Sequence, residues 1–120
     1  MTLLADGSDI DEVLRALADP TRRRLLDQLA QRGQATATTL CGELAITRQA
    51  VVQHLTLLDA AGLVRGQKSG RERRYEVSTQ RLADTARWLD QIAQQWDVRL
   101  SAIKRIAERT TDPSREPQPD

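Results

Sequence analysis

Apolar residues in this chain recur first at helical intervals, then briefly in strand-like runs, then at helical intervals again. Ile10, Val13, Leu14 and Leu17 form one stripe, opened by Asp9 as an N-cap with Glu12 three residues later, a capping box with Asp in place of Ser or Thr. They predict a first helix over residues 9–18. Asp19 and Pro20 then predict a second start, because proline suits the first helical position, where its missing N–H would have no partner anyway. Along residues 20–32, Leu25, Leu26, Leu29 and Ala30 would face inward, and Gly33 would end the helix.

Residues 36–44 read as a short helix, Ala45 and Ile46 as a turn, and Thr47 as the cap of the next helix. In that helix Ala50, Val51, Leu55, Leu58 and Ala61 keep to one stripe, and Gly62 terminates it. Two strand-like runs, 63–68 and 71–77, are joined through Ser69 and Gly70. Beyond Ser78 or Thr79 as a cap, Leu82, Ala86, Leu89, Ala93, Trp96, Leu100, Ile103 and Ala107 alternate spacings of four and three to about Arg109, an a/d seam. The pattern predicts a mainly α protein with a small β-hairpin. Helix, turn, helix and hairpin in this order make a winged helix-turn-helix.

Composition narrows the picture. The 120 residues suit one domain, expected over 9–109, with a flexible N-terminus over 1–8 and a proline-rich, polar, disordered tail over 110–120. With 39% apolar residues and no Phe, the core must be aliphatic. The single cysteine excludes an internal disulfide framework and a cysteine-only metal site in one chain, and points to a reducing cytoplasm. No basic, apolar leader opens the chain and no run of about eighteen apolar residues occurs, so neither export nor a membrane span is expected.

Net charge is only +1, but its distribution is uneven. Asp6, Asp9, Asp11, Glu12 and Asp19 outweigh Arg15 at the start, whereas Arg48, Arg65, Lys68, Arg71, Arg73 and Arg74 outweigh Asp59 and Glu72 between residues 47 and 75. A basic centre of this kind suits a polyanion.

The polar face of the 47–62 helix carries Arg48, Gln49, Gln53 and Thr56 in its first turns, where a recognition helix meets the major groove. Arg48, Gln49 and Gln53 are the candidates for base readout, since Arg pairs with guanine and Gln with adenine in bidentate fashion. Thr47, Thr56 and the hairpin's Lys68, Arg71 and Arg73 are the candidates for phosphate contact. Charge on a hairpin has a plainer reading, protection of an edge strand. Next to a helix of DNA-reading character, the wing reading is the stronger. Tyr75 is expected to pack rather than stack on a base. Arg22, Arg23 and Arg24 read as a solvated face or as carboxylate partners, with phosphate contact as the alternative.

The last helix has more apolar surface than a monomer of this size covers, with Trp88, Ile92 and Ile106 widening its stripe. A homodimer interface is expected from Val13, Leu17, Leu82, Trp88, Leu89, Ile92, Trp96, Leu100 and Ile103, so that dimerisation runs through the terminal helices. The alternative is a helix folded back on its own domain. A rival function, a winged-helix module binding protein through this long helix, is disfavoured by the basic hairpin. An enzyme lacks support: there is no nucleophile with a credible base, and Asp9, Asp11 and Glu12 have a reason to sit at a helix start.

The segments Ala16-Leu-Ala-Asp-Pro-Thr-Arg-Arg-Arg-Leu-Leu-Asp-Gln-Leu29, Ala50-Val-Val-Gln-His-Leu55, Ala61-Gly-Leu-Val64 and Gly70-Arg-Glu-Arg-Arg-Tyr75 together resemble the ArsR/SmtB winged-helix repressors over residues 10–108. The resemblance implies a homodimer that binds an imperfect palindrome in double-stranded DNA and represses transcription, often of its own operon, until an effector releases it. It also places His54 at a position that supports DNA binding. The family's metal-sensing cysteine pair falls here on Leu40 and Gly42, with Cys41 between them, and the last helix has no His. No metal site and no cofactor are therefore expected. Val52 stands where the family usually has Ser, which removes one contact to DNA. Cys41 reads as a small buried residue, with a redox switch as the alternative. A signal has three routes: a dimer pocket lined by Trp88 and Trp96, the Cys41 thiol, or no small effector at all.

Overall fold

A computed structural model describes residues 7–111, with side chains over 9–109. The elements are α1 (Gly7–Leu17), α2 (Pro20–Arg32), β1 (Ala35–Thr36), α3 (Ala37–Leu44), α4 (Arg48–Ala60), β2 (Val64–Ser69), β3 (Glu72–Val77) and α5 (Gln80–Thr111). The flexible ends expected over 1–8 and 110–120 lie outside the described residues, apart from the two helix ends that reach Gly7 and Thr111. The chain divides into two compact units at Ala86 and Arg87.

In the first unit, α1 starts two residues earlier than its sequence signals. Asp9 therefore lies in the first turn and is not the cap. There it and Glu12 pair with Arg81 at the start of α5, at 3.5 and 3.6 Å. The α2 boundaries are those expected: the Asp19 carboxylate accepts from the backbone N–H of Thr21 at 2.7 Å and Arg22 at 3.3 Å, and Gly33, at φ +85°, donates its N–H to the Leu29 carbonyl. Ala30 is exposed, contrary to expectation. The half-buried Arg22 takes a place on the inward stripe beside Leu25, Leu26 and Leu29, and centring the stripe there turns Ala30 about a quarter-turn away.

Val13, Leu25, Leu29, Leu40, Val51, Leu55, Leu58, Leu63 and Val64 are almost wholly buried and make one aliphatic core, to which Tyr75 adds a ring. Three strands close it in the order β1-β3-β2, all antiparallel. β1 was not foreseen: two residues carry no alternation to read, yet Ala35 pairs with Tyr75 and Thr36 with Arg74. Gly70, at φ +64°, and Arg71 form the two-residue loop between β2 and β3, and the positive φ at its first position suits the twist of a hairpin.

The second unit consists of α5 from Arg87 onward. Leu89, Trp96, Leu100 and Ile103 are each about half exposed or more, with Trp96 at 52% and Ile103 at 59%, while Trp88 and Ile92 are half-buried. Among the described residues, no helix is long and apolar enough to cross a membrane. The dimer-interface expectation needs one correction. Val13 is 1% exposed within its own unit and has no surface to offer a partner; Leu14, one residue on, is the exposed apolar side chain of α1. Leu17 and Leu82 are partly buried against the same core.

Candidate nucleic-acid interface

Two caps and a turn aim the recognition helix. The Thr36 hydroxyl accepts from the Thr39 N–H at the start of α3, and Ala45 ends that helix in the left-handed region at φ +56°. For a residue with a Cβ this conformation costs about 1–2 kcal/mol, offset here by burial of Leu44 and half-burial of Ile46 on either side of it. Thr47 then caps α4, its hydroxyl oxygen accepting from the Ala50 N–H at 3.0 Å while its own proton stays available.

With Val51, Leu55 and Leu58 buried, α4 turns Arg48, Gln49, Gln53 and Thr56 outward. Arg48 Nε donates to Thr38 Oγ1 at 3.3 Å, which steadies the side chain and leaves both terminal nitrogens for a ligand. The amides of Gln49 and Gln53 make no hydrogen bond among the described residues. Thr56 differs from its expected role, because its hydroxyl donates back to the Val52 carbonyl at 2.8 Å. In that geometry it offers only lone pairs, which phosphate oxygens cannot use.

His54 is half-buried, with Nδ1 3.4 Å from an Arg22 terminal nitrogen. A guanidinium only donates, so Nδ1 accepts and the ring proton sits on Nε2. Of the two readings of the arginine cluster, a solvated face or carboxylate partners, Arg22 follows the second, with a terminal nitrogen 3.6 Å from the Asp19 carboxylate. It also turns inward: Nε donates to the Ala16 carbonyl at 2.8 Å and a terminal nitrogen to the Arg15 carbonyl at 3.3 Å, while Arg23 donates to the Leu17 carbonyl. The two side chains thereby satisfy the last carbonyls of α1. Burial raises the Asp19 pKa, but the Thr21 and Arg22 N–H groups and the charge of Arg22 outweigh it and hold the carboxyl below the usual range. Nothing local to residues 19–24 signals this chain from Asp19 through Arg22 to His54.

The wing has two unlike faces. Arg65 with Glu76 at 3.1 Å, and Arg74 with Glu72 at 4.0 Å, make one face internally compensated. On the other, Val64, Gly66 and Lys68 stand opposite Val77, Tyr75 and Arg73. That face is buried at the Val64 end, where Tyr75 is packed as expected, and cationic at the tip. Arg73 lies 6.0 Å from the Tyr75 ring centroid, and a Cβ on Gly66 would stand 2.6 Å from Arg73 Nε and 2.9 Å from Tyr75 Cε1. Glycine at 66 is what lets ring and guanidinium lie across β2. Lys68, Arg71 and Arg73 have no carboxylate partner among the described residues.

Cys41 is half-buried, its thiol 3.2 Å from the Thr38 carbonyl, and no group of three or more His, Cys, Asp or Glu side chains is placed to hold a metal among the described residues.

A family model described as a helix-turn-helix domain matches residues 17–67, from the end of α1 into β2. An ArsR-like transcriptional regulator from Rhodococcus sp. RHA1 superposes with a TM-score of 0.77 at 42% identity, covering 91% of this chain and 98% of that one. The HTH-type transcriptional regulator Rv2034 of Mycobacterium tuberculosis is 32% identical over 102 residues, 85% of this chain and 92% of that protein. The transcriptional repressor SmtB of the same species is 42% identical over 72 residues, 60% of this chain, and the match spans about half (53%) of SmtB. These relatives are regulators of transcription, not enzymes. The chain belongs to the ArsR/SmtB family of winged helix-turn-helix, DNA-binding transcriptional regulators.

Proposed function

We propose that the protein is a cytoplasmic homodimeric repressor that binds an imperfect inverted repeat in double-stranded DNA. Arg48, Gln49 and Gln53 read base edges in the major groove. Thr47 and the Nε2–H of His54 hold the adjacent phosphates, and Lys68, Arg71 and Arg73 bring the wing to the backbone. The observation that carries this reading is the pairing of exposed polar groups on α4, the Gln49 and Gln53 amides and the terminal nitrogens of Arg48, with cations at the wing tip that no carboxylate neutralises among the described residues. A polyanion supplies what the fold withholds.

The dimer rests on α5, where Leu89, Trp96, Leu100 and Ile103 are spaced by seven, four and three residues and stay exposed. Apolar residues in an a/d pattern are covered when two copies pack along the helix. Two-fold symmetry then sets the recognition helices about one DNA turn apart. Selection of bound sequences from a random duplex library tests the whole reading. Enrichment of an inverted repeat with half-sites about ten base pairs apart supports it. A folded dimer that enriches nothing contradicts it and favours a protein partner for α5.

A further inference from the structure

Between α1, α2 and α4 lies a recess of about 310 Å³, near the lower end of the roughly 300–1,000 Å³ usual for small-molecule sites. Its apolar lining includes Ala16, Leu57 and Ala61, and its charged groups are Glu12, Arg15 and Arg22. Leu57 is 52% exposed although its helix neighbours Leu55 and Leu58 are buried. Three cations stand around the recess, Arg15, Arg22 and Arg81, and three carboxylates face two of them: Arg22 faces Asp19 at 3.6 Å, and Arg81 is shared by Asp9 and Glu12. Arg15 is the cation of the three with no ion-pair partner among the described residues.

We propose that this recess binds a small amphipathic carboxylate, with its apolar body against Ala16 and Leu57 and its carboxylate on the Arg15 guanidinium, and that binding lowers affinity for DNA. A guanidinium with no ion-pair partner of its own, beside an apolar surface, selects this chemistry, because its planar fork matches a carboxylate. The regulatory half of the proposal rests on the repressor reading above and names its signal. Both sides of the recess locate the recognition helix: Arg22 contacts His54, and Arg81, paired with Glu12, donates to the Ala61 carbonyl at 3.1 Å. An occupant in contact with Arg22 and Ala61 therefore acts on the groups that set the position of α4.

Naphthoate and its neutral isostere naphthamide are suitable probes, titrated calorimetrically into the full chain, with the selected operator followed in parallel by fluorescence anisotropy. Naphthoate should bind, Arg15→Gln should weaken it about tenfold while leaving naphthamide unchanged, and Leu57→Asn should weaken both. Saturating naphthoate should release operator from the wild type at concentrations that leave Arg15→Gln bound. No naphthoate binding, or equal binding to wild type and Arg15→Gln, overturns the proposal. So does a change of oligomeric state in Leu57→Asn with naphthoate affinity intact, which would assign the recess to a second copy of the chain. Operator binding without naphthoate judges the repressor reading separately: intact DNA binding with no ligand effect sinks only the recess.

Discussion

Lys68 and Arg73 stand directly opposite each other on β2 and β3, both exposed, at the tip of the wing. Like charges in that relationship destabilise a hairpin, whereas an opposite pair contributes roughly 0.2–1 kcal/mol. A hairpin selected for stability alone would carry an acid at one of the two positions. The substitution Lys68→Glu should therefore raise thermal stability slightly and weaken DNA binding at every sequence. Calorimetric melting and operator titration measure the two effects. Loss of stability, or unchanged DNA affinity, would show that the tip cations serve the fold.

Gly66 makes the second prediction, because its partner across the ladder is Tyr75. Ala at 66 would have to displace the ring or the Arg73 side chain lying with it. Overpacking of this kind costs about 1–3 kcal/mol. Gly66→Ala should lower the unfolding midpoint in denaturant and also weaken DNA binding through a displaced Arg73. Double substitution with Tyr75→Leu should recover part of the stability, since the ring that blocks the Cβ is gone.

The α4 face and the wing should fail differently. Gln53→Ala removes a group able to bridge adenine, so it should relax preference at one operator position, by roughly 1–3 kcal/mol. Arg71→Ala should weaken all sequences alike and flatten the salt dependence. Binding to a panel of single-base operator variants separates these outcomes. An unchanged preference in Gln53→Ala would move the reading face elsewhere on α4.

In α5, Ile103→Glu places a charge in the exposed apolar seam. It should convert dimer to monomer in sedimentation at micromolar concentration while leaving the first unit folded, and operator affinity should fall with the loss of two-fold binding. A variant that stays dimeric would remove α5 from the interface.

What could be read from the sequence was what is encoded locally. Asp19 with Pro20, Gly33 and Thr47 are caps and stops whose partners lie within a few residues, and the helices they bound appear where expected. The Ser69-Gly70 turn signal likewise placed the hairpin to within a residue. Tertiary relations were not legible. Arg22 sits among three consecutive arginines that look alike in sequence, and its contacts with Asp19, with the end of α1 and with His54, thirty-two positions away, distinguish it. Val13 and Leu14 are both apolar and adjacent, so helical periodicity alone did not say which faces the core and which faces out. β1 is too short to show alternation, and the role of Arg81 depends on groups from α1 and the end of α4 that only the fold brings together.

The central claim, that α4 and the wing together form a phosphate-neutralising, sequence-reading surface, is tested most directly by the salt dependence of operator binding. With about six phosphates neutralised per dimer, log K should fall against log salt with a slope near −5. The double variant Lys68→Gln/Arg71→Gln should reduce that slope by up to about 4, since each dimer loses four cations. A slope near zero in a folded, dimeric protein would contradict the account.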